Sequence, residues 1–282
     1  MFFIGAHIPR EKNLMDMMKK IIDADGNSLQ IFISNPRSTH IGEYNKKFLG
    51  NHEEIRSFII KNNFKLVIHS PYTINLASPL VFNKRILHLN ECYWIKILLK
   101  ELEIAHLLGS IGCVVHTGKN TKYPIKDGLN NMKICIEYII DEIIKNNWSS
   151  KLILETASGQ GTELLSNYQD FLNFYNSFND KQKEVFKLCI DTCHIWAKGY
   201  ELNEIIDLTI KNNNMNDISI IHINNSKNPK GSHLDRHDIM NQGFININDI
   251  FNFIKNFRKS IMILETPTAN IKFEFHQIKK HS

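Results

Sequence analysis

Short, nearly continuous apolar runs recur along the chain, at residues 2–7, 28–34, 65–70, 111–117, 151–156, 186–191, 218–224 and 260–266. They are rich in β-branched residues. A strand wetted on one face alternates apolar and polar positions, whereas a strand covered on both faces reads as an unbroken apolar run. The runs therefore predict eight buried strands of a parallel sheet. Longer stretches with helical spacing lie between them. One extends from Asn83 to about Leu108, with Ile86, Leu89, Tyr93, Ile97, Leu98, Leu102 and Ala105 on one face and Gly109 as its C-terminal stop. Asp127 is the expected cap of the next, which carries Met132, Cys135, Ile136, Ile139, Ile140 and Ile143. Another follows Asn167 through Phe171, Leu172 and Tyr175, and the Asn-rich piece at 211–214 reads as a helix end.

Strand and helix alternate eight times over 282 residues, or about 35 residues per unit, the span of a (β/α)8 TIM barrel. A doubly wound open sheet, the competing α/β fold, would place a Gly-rich phosphate loop after its first strand. Here the first run is followed by Ile8-Pro9-Arg10-Glu11, so the barrel is the expected fold class. No Pro/Gly/Ser-rich linker divides the sequence, and residues 1–282 are expected to form a single barrel domain.

Composition narrows the class. A hydrophobic content of 43% can build a full core, and 22% charged residues exclude a disordered tail. No run approaches about 18 apolar residues, so no membrane span is expected. Met1-Phe2-Phe3-Ile4-Gly5 lacks the basic start of a signal peptide. Five cysteines, an odd number without framework spacing, point to free thiols in an intracellular, reducing compartment: cytoplasm, nucleus or viral factory. The formal net charge of +5 permits a polyanionic partner without demanding one. A monomer is the default.

The strand ends carry the chemistry, because a (β/α)8 barrel builds its site at the C-terminal ends of its strands. The third run ends in His69, the fourth in His116, the fifth in Glu155. The sixth ends in Asp191 with His194 just beyond, the seventh in His222 with Asp235 and His237 soon after, and the eighth in Glu265. A lone strand-end His is more often packed or hydrogen-bonded than a ligand. Six consecutive strands with such ends converge nine polar groups on one rim, which is costly to desolvate unless cations bind them. Five imidazoles with four carboxylates suit Zn²⁺, with Mn²⁺ as a possible substitute, and disfavour Ca²⁺ and Mg²⁺. At about three protein ligands per catalytic zinc, nine ligands serve two or three ions, with one carboxylate shared. Clustered divalent ions are the usual apparatus of phosphoester hydrolysis. His7 ends the first run at the same rim and is expected to support a ligand or phosphate. Cys193 alternates away from Asp191 and His194 and is not counted as a ligand.

The ordered motifs resemble the endonuclease IV family of zinc-dependent apurinic/apyrimidinic endonucleases. They begin at Ile4-Gly5-Ala6-His7 and pass through Asn35-Pro36-Arg37, His69-Ser70-Pro71-Tyr72-Thr73-Ile74-Asn75-Leu76 and His116-Thr117-Gly118. Glu155-Thr156-Ala157-Ser158-Gly159-Gln160-Gly161 and Cys189-Ile190-Asp191-Thr192-Cys193-His194 follow, then Ala197-Lys198-Gly199-Tyr200 and His222-Ile223-Asn224. Gly231-Ser232-His233-Leu234-Asp235-Arg236-His237 and Leu264-Glu265-Thr266-Pro267 complete the set. The resemblance covers nearly the whole chain. It implies three zinc ions: one on His69, His116 and bridging Glu155, one on Glu155, Asp191, His222 and Glu265, and one on His194, Asp235 and His237. It implies cleavage of the phosphodiester 5′ to an abasic site in double-stranded DNA, leaving a 3′-hydroxyl and a 5′-deoxyribose phosphate, and removal of blocking groups from 3′ ends, in base excision repair. Glu155 and Glu265 are then the catalytic candidates, Glu265 orienting or deprotonating the attacking water. Arg37 and Tyr72 match residues inserted into the minor groove at the lesion, a sound tool for a gapped stack. Arg236, Lys119 and Lys230, with Lys122 and Lys227, are expected to meet phosphates. The chain departs from the family pattern at Pro36, where Gln is usual, at Thr73, where Leu is usual, and at Asn241-Gln242-Gly243-Phe244-Ile245, where Gly-Glu-Gly-Asn-Ile is usual.

Two other readings compete. A sugar isomerase or epimerase of the xylose-isomerase-like barrels shares the architecture, but its carboxylate-rich site does not call for five histidines. A non-catalytic binder of damaged DNA has no need of a complete ligand set.

Overall fold

The computed structural model describes residues 2–40, 43–82, 84–267 and 270–281. Among them, eight parallel strands close into a barrel: β1 (Phe3–His7), β2 (Ser28–Ile31), β3 (Lys65–His69), β4 (Gly112–His116), β5 (Lys151–Glu155), β6 (Phe186–Asp191), β7 (Ile218–Ile223) and β8 (Ile261–Leu264). Each pairs with its neighbours in sequence, and β8 returns to β1 through Phe3 opposite Ile261 and Ala6 opposite Leu264. Every apolar run holds one strand of the barrel.

The runs are unbroken because both faces of each strand are buried. Leu66, Ile68, Val115, Leu154, Ile190, Ile221 and Leu264 point outward into the large core shared with the helices. Val67, Val114, Ile153, Cys189, Ile220, Ile261 and Ile263 point inward and form a separate apolar plug. Strand side chains alternate with a period of two. Two residues beyond Val67, Val114, Ile153, Cys189, Ile220 and Ile263 come His69, His116, Glu155, Asp191, His222 and Glu265. The plug is thus capped by a polar layer, and the same alternation that fills the barrel aims these six side chains at its axis.

The helices cover the outside, with two differences from the sequence reading. Asn83, the predicted start of the first long helix, lies outside the described residues, and the helix spans Tyr93–Leu108. Before it, Val81–Phe82 pairs with Arg85–Ile86 and a 3-10 turn covers Leu89–Glu91. Ile86 is 74% exposed, so it does not belong to the buried face. Cys92, in extended backbone between that turn and the helix, stops the helical register from running back. Gly109 ends the helix at φ 73°, where a side chain would be strained. The next helix, Ile125–Lys145, begins at Pro124 and takes Asp127 into its first turn instead of using it as a cap. Proline presets the backbone angle for a helix start, and Asp127 still favours the positive end of the helix dipole. Asn167 does cap its helix, accepting from the Asp170 amide at 3.1 Å. All five cysteines are buried and unpaired. Among the described residues no helix is long and apolar enough to cross a membrane.

Candidate metal centre

The nine strand-end groups meet in three clusters. His69, His116 and Glu155 form one, Glu155, Asp191, His222 and Glu265 a second, and His194, Asp235 and His237 a third; within each, the ligating atoms lie within 4.8 Å of one another. Register brings the first together: His116 is paired with Glu155 across β4 and β5. Glu155 Oε2 lies 3.3 Å from His69 Nε2 and 3.4 Å from His116 Nε2, while its Oε1 lies 2.9 Å from His222 Nδ1. One carboxylate therefore faces two clusters with different oxygens. Asp191 is both the last residue of β6 and the N-cap of the helix Thr192–Lys198: its Oδ1 accepts from the His194 amide at 3.0 Å. That cap fixes the first turn and carries His194 to Asp235, 3.2 Å from Nε2 to Oδ2. His237 Nε2 completes the third cluster, 3.0 Å from Asp235 Oδ1.

The donor set fits a metal. Glu155 Oε2, Asp235 Oδ1 and His237 Nε2 are buried without a hydrogen-bond partner among the described residues. Each nevertheless lies 3.0 to 3.4 Å from another donor atom. Ligands held about 2.0–2.1 Å from a tetrahedral zinc stand about 3.3 Å apart. The atoms face shared points between them rather than each other.

Electrostatics follow from the crowding. Burial opposes charge on Glu155, but His116 and His222 outweigh it and hold the carboxyl well below the usual range. Asp235 and Glu265 are likewise depressed against burial, Asp235 by His194 and Glu265 by His222 and His7. Burial also opposes charge on His194, His222 and His237, and all three are raised, His194 and His237 by Asp191 and Asp235 foremost, His237 to about 9, and His222 by Cys189 and then Glu265 and Glu155. His7 and His116, whose burial dominates, are lowered. Cys193 Sγ lies within 4.8 Å of Asp191 and His237 ligating atoms, yet burial, then Asp191, pushes its thiol up to about 12.

Comparison with known proteins decides the family. A probable endonuclease 4 of Mycoplasma capricolum is 33% identical over 278 residues, spanning 95% of this chain and 92% of its own length. The model of the AP_endonuc_2 family, a xylose isomerase-like TIM barrel, matches residues 19–281. The chain belongs to the endonuclease IV family. The solved endonuclease IV of Thermus thermophilus shares its fold, with a TM-score of 0.79 at 20% identity over 99% of this chain and 98% of that one. A D-tagatose 3-epimerase-like protein shares the fold at a TM-score of 0.70 and 17% identity, over 99% of this chain and 96% of that one.

Around the three clusters this endonuclease IV chain places the remaining expected residues unevenly. Tyr72 stands 60% exposed over the cleft, its ring meeting those of His69 and His116 edge-on, both at 5.8 Å. Arg37 is exposed on the neighbouring loop. The two loops are tied at the positions where the sequence departs from the family pattern. Pro36 O accepts from the Tyr72 amide at 2.9 Å, and Thr73 Oγ1 donates to Ser38 O at 2.7 Å. The third departure has its own support: Asn225 is fully buried and bonds Met240 O, Ile245 O and the Ile245 amide. A Cβ on Gly243 would lie 2.2 Å from the Asn225 side chain, so glycine is required there, and Phe244 beside it is exposed.

Lys119 and Arg236 line the cleft with Tyr72, Glu155 and Asp235, around a volume of about 370 Å³. Lys119 is engaged by Glu163 at 3.3 Å. Lys230 does not line it; it pairs with Glu201 and lies 5.9 Å from the Trp196 ring. Lys122 lies over Tyr123. A second cavity of about 660 Å³ adjoins the centre, bounded by His7, Arg10, Phe32, Tyr72, His237 and Glu265. His7 Nδ1 lies 3.2 Å from Glu265 Oε1.

Three polar residues at the site escape a reading of strand ends. Gln30 on β2 contacts His7, Glu265 and His222. Asn224 donates to Asp191 Oδ2 at 2.7 Å. Glu163 accepts from the amides of Gly159 and Gln160 and so shapes the loop after β5. The one available signal was phase: Gln30 lies two positions beyond Ser28, so both polar residues face inward while Leu29 and Ile31 face the helices.

Proposed function

We propose that this protein is a DNA repair endonuclease that hydrolyses the phosphodiester 5′ to abasic sites in duplex DNA with the help of three zinc ions. The three convergent donor clusters, with Glu155 shared between two of them, are the observation that carries this reading. His69, His116 and Glu155 would hold one ion, Glu155, Asp191, His222 and Glu265 the second, and His194, Asp235 and His237 the third. Bound zinc would supply a nucleophile near neutral pH and neutralise the phosphate's charge. Mn²⁺ would serve as a substitute.

The protein's own groups do the rest. Glu155 keeps the first two donor clusters in fixed relation. Glu265 would orient the attacking water from Oε2, with His7 and Gln30 against Oε1. Tyr72 and Arg37, on loops locked together, enter the gap that an abasic nucleotide leaves in the stack; such a nucleotide also lacks the pairing that resists its extrusion. Arg236 and Lys119 at the cleft meet the phosphates, and Lys230, beyond it, would do so only on release from Glu201. The cleft is open to solvent, so a blocked 3′ end would enter as an internal site does and be trimmed there. Residues 1–282 would act as one domain and as a monomer.

The test is incision of a duplex carrying one abasic site, before and after treatment with a strong chelator, with zinc added back and metal counted per chain. Chelator-sensitive nicking restored by zinc, at three ions per chain, is the expected result. One ion per chain would sink the trinuclear assignment. Lesion binding without nicking would favour a damaged-DNA binder, and turnover of a ketose without nicking an epimerase.

A further inference from the structure

A histidine binds a metal through one ring nitrogen, and the hydrogen bond made by the other decides which. Three histidines of the centre are set by the backbone. His69 Nδ1 donates to Ser70 O at 2.8 Å and His194 Nδ1 to Thr156 O at 2.7 Å. His237 Nδ1 faces Glu265 O at 3.4 Å. All three thereby present Nε2 to the clusters. His222 is turned the other way: its Nδ1 faces Glu155 Oε1, Glu265 Oε2 and Asp191 Oδ2 at 2.9, 3.4 and 3.9 Å. Its Nε2 faces the side chain of Gln30, 2.8 Å from Oε1.

Gln30 is fully buried on β2. Its other end, Nε2, lies 2.6 Å from Glu265 Oε1. The polarity of this chain of contacts is forced. An ionised carboxylate only accepts, so the end of Gln30 at Glu265 is the amide NH2. Its carbonyl oxygen is then the end at His222, and an oxygen there needs Nε2 to carry the proton. A flipped amide would set oxygen against oxygen at 2.6 Å.

We infer that Gln30 is the positioning residue that keeps the proton on His222 Nε2, leaving Nδ1 as the metal-facing atom, and divides the two oxygens of Glu265 between structure and metal. Gln30 and His7 occupy Oε1 from outside, and Oε2 alone turns to His222 Nδ1 and the second cluster. Glu265 would thus offer the second cluster one oxygen, Oε2, whose direction is set from β2, a strand that supplies no candidate ligand itself. This inference rests on the metal-dependent reading of the site.

The test uses the full chain, ¹⁵N-labelled at histidine and loaded with zinc. Long-range proton–nitrogen correlation reads the tautomer of His222, and competition with a chromophoric chelator reads zinc affinity. The wild type should show His222 protonated at Nε2. Gln30→Met keeps length and burial but removes both hydrogen bonds; its weakest zinc should be held about 10–100-fold less tightly, the usual cost of losing a partner behind a ligand. Gln30→Glu should keep the Nε2 proton, yet lose affinity by setting a carboxylate against Glu265. Zinc uptake with His222 protonated at Nδ1 overturns the inference alone, as does unchanged affinity in a folded Gln30→Met. A wild type that takes up no zinc brings down the metal reading and this inference with it. The wild-type spectrum needs no variant, so the question is answered whatever the stability of Gln30→Met.

Discussion

His116 and Glu155 occupy matched register positions on neighbouring strands, and His116 Nε2 stands 3.4 Å from Glu155 Oε2. The opposite oxygen of the same carboxylate serves His222. Glu155→Ala should therefore disturb two clusters at once. Metal analysis should show loss of more than one ion per chain. Incision should fall by more than about a hundredfold, since losing a mere supporting partner already costs about 10–100-fold. Near-normal cleavage by this variant would refute the shared role.

Tyr72 is held at the cleft by its ring contacts and by its amide bond to Pro36, while most of the ring remains exposed. Tyr72→Ala should weaken binding to a duplex with an abasic site by about 1–3 kcal/mol, the range for an aromatic stacked on bases. Binding to the intact duplex should change much less. Equal losses in a paired titration would show that Tyr72 does not read the lesion.

Arg236 and Lys230 should separate in their salt dependence. Arg236 lines the cleft, and Nη1 donates to a backbone carbonyl, that of Asp235, at 2.5 Å. Its charge is left for phosphate. Lys230 already pairs with Glu201. Arg236→Ala should lower the slope of log affinity against log salt by about one. A drop of the same size for Lys230→Ala would show that the Glu201 pair opens on DNA.

Glu101 is a buried carboxyl on the helix Tyr93–Leu108, in contact with Ser34 and Cys113. Burial raises it to about 7, against smaller opposing effects from Ser34, His69 and Cys113. Its folded value lies above the unfolded one, so its contribution to stability is complete below about pH 4.5 and lost as pH rises through about 7. Glu101→Gln keeps an acceptor for the Ser34 hydroxyl, which donates to Glu101 Oε1 at 2.5 Å. The variant should match the wild type near pH 4.5 and exceed it at pH 8 by up to about 3 kcal/mol. Urea melts at both pH values would decide; equal differences at the two would show that Glu101 stays ionised.

The barrel was legible because its strands are buried on both faces, which writes them as unbroken apolar runs. Six of the nine candidate ligands were legible because each ends such a run; His194, Asp235 and His237 lie beyond the strand ends and were read from their closeness to them. Gln30 was not, because its run continues past it through Ile31, Phe32 and Ile33, and no strand end marks it. Asn225 was hidden for a similar reason: its role lies in clamping residues 240–245, fifteen or more positions away. The helix start was misplaced because Ile86, Leu89 and Tyr93 keep helical spacing across a hairpin and a 3-10 turn. Spacing alone does not register that Ile86 faces solvent. The pairing of Lys230 with Glu201 was not legible either, since the two lie 29 residues apart.

The two-residue step from the apolar plug to the polar layer also limits how such a protein can change over time. Inserting or deleting one residue inside β3–β8 would swing that strand's His, Asp or Glu round to the helix side and bring an aliphatic group inward. Lengthening a loop beyond the strand end moves nothing in the barrel. Tolerated insertions and deletions should therefore gather in loops such as the one that carries Arg37, and spare residues 224–245, which hold Asp235, His237 and the Asn225 clamp. New substrate preferences would arise there while the hydrolytic centre stays fixed in place.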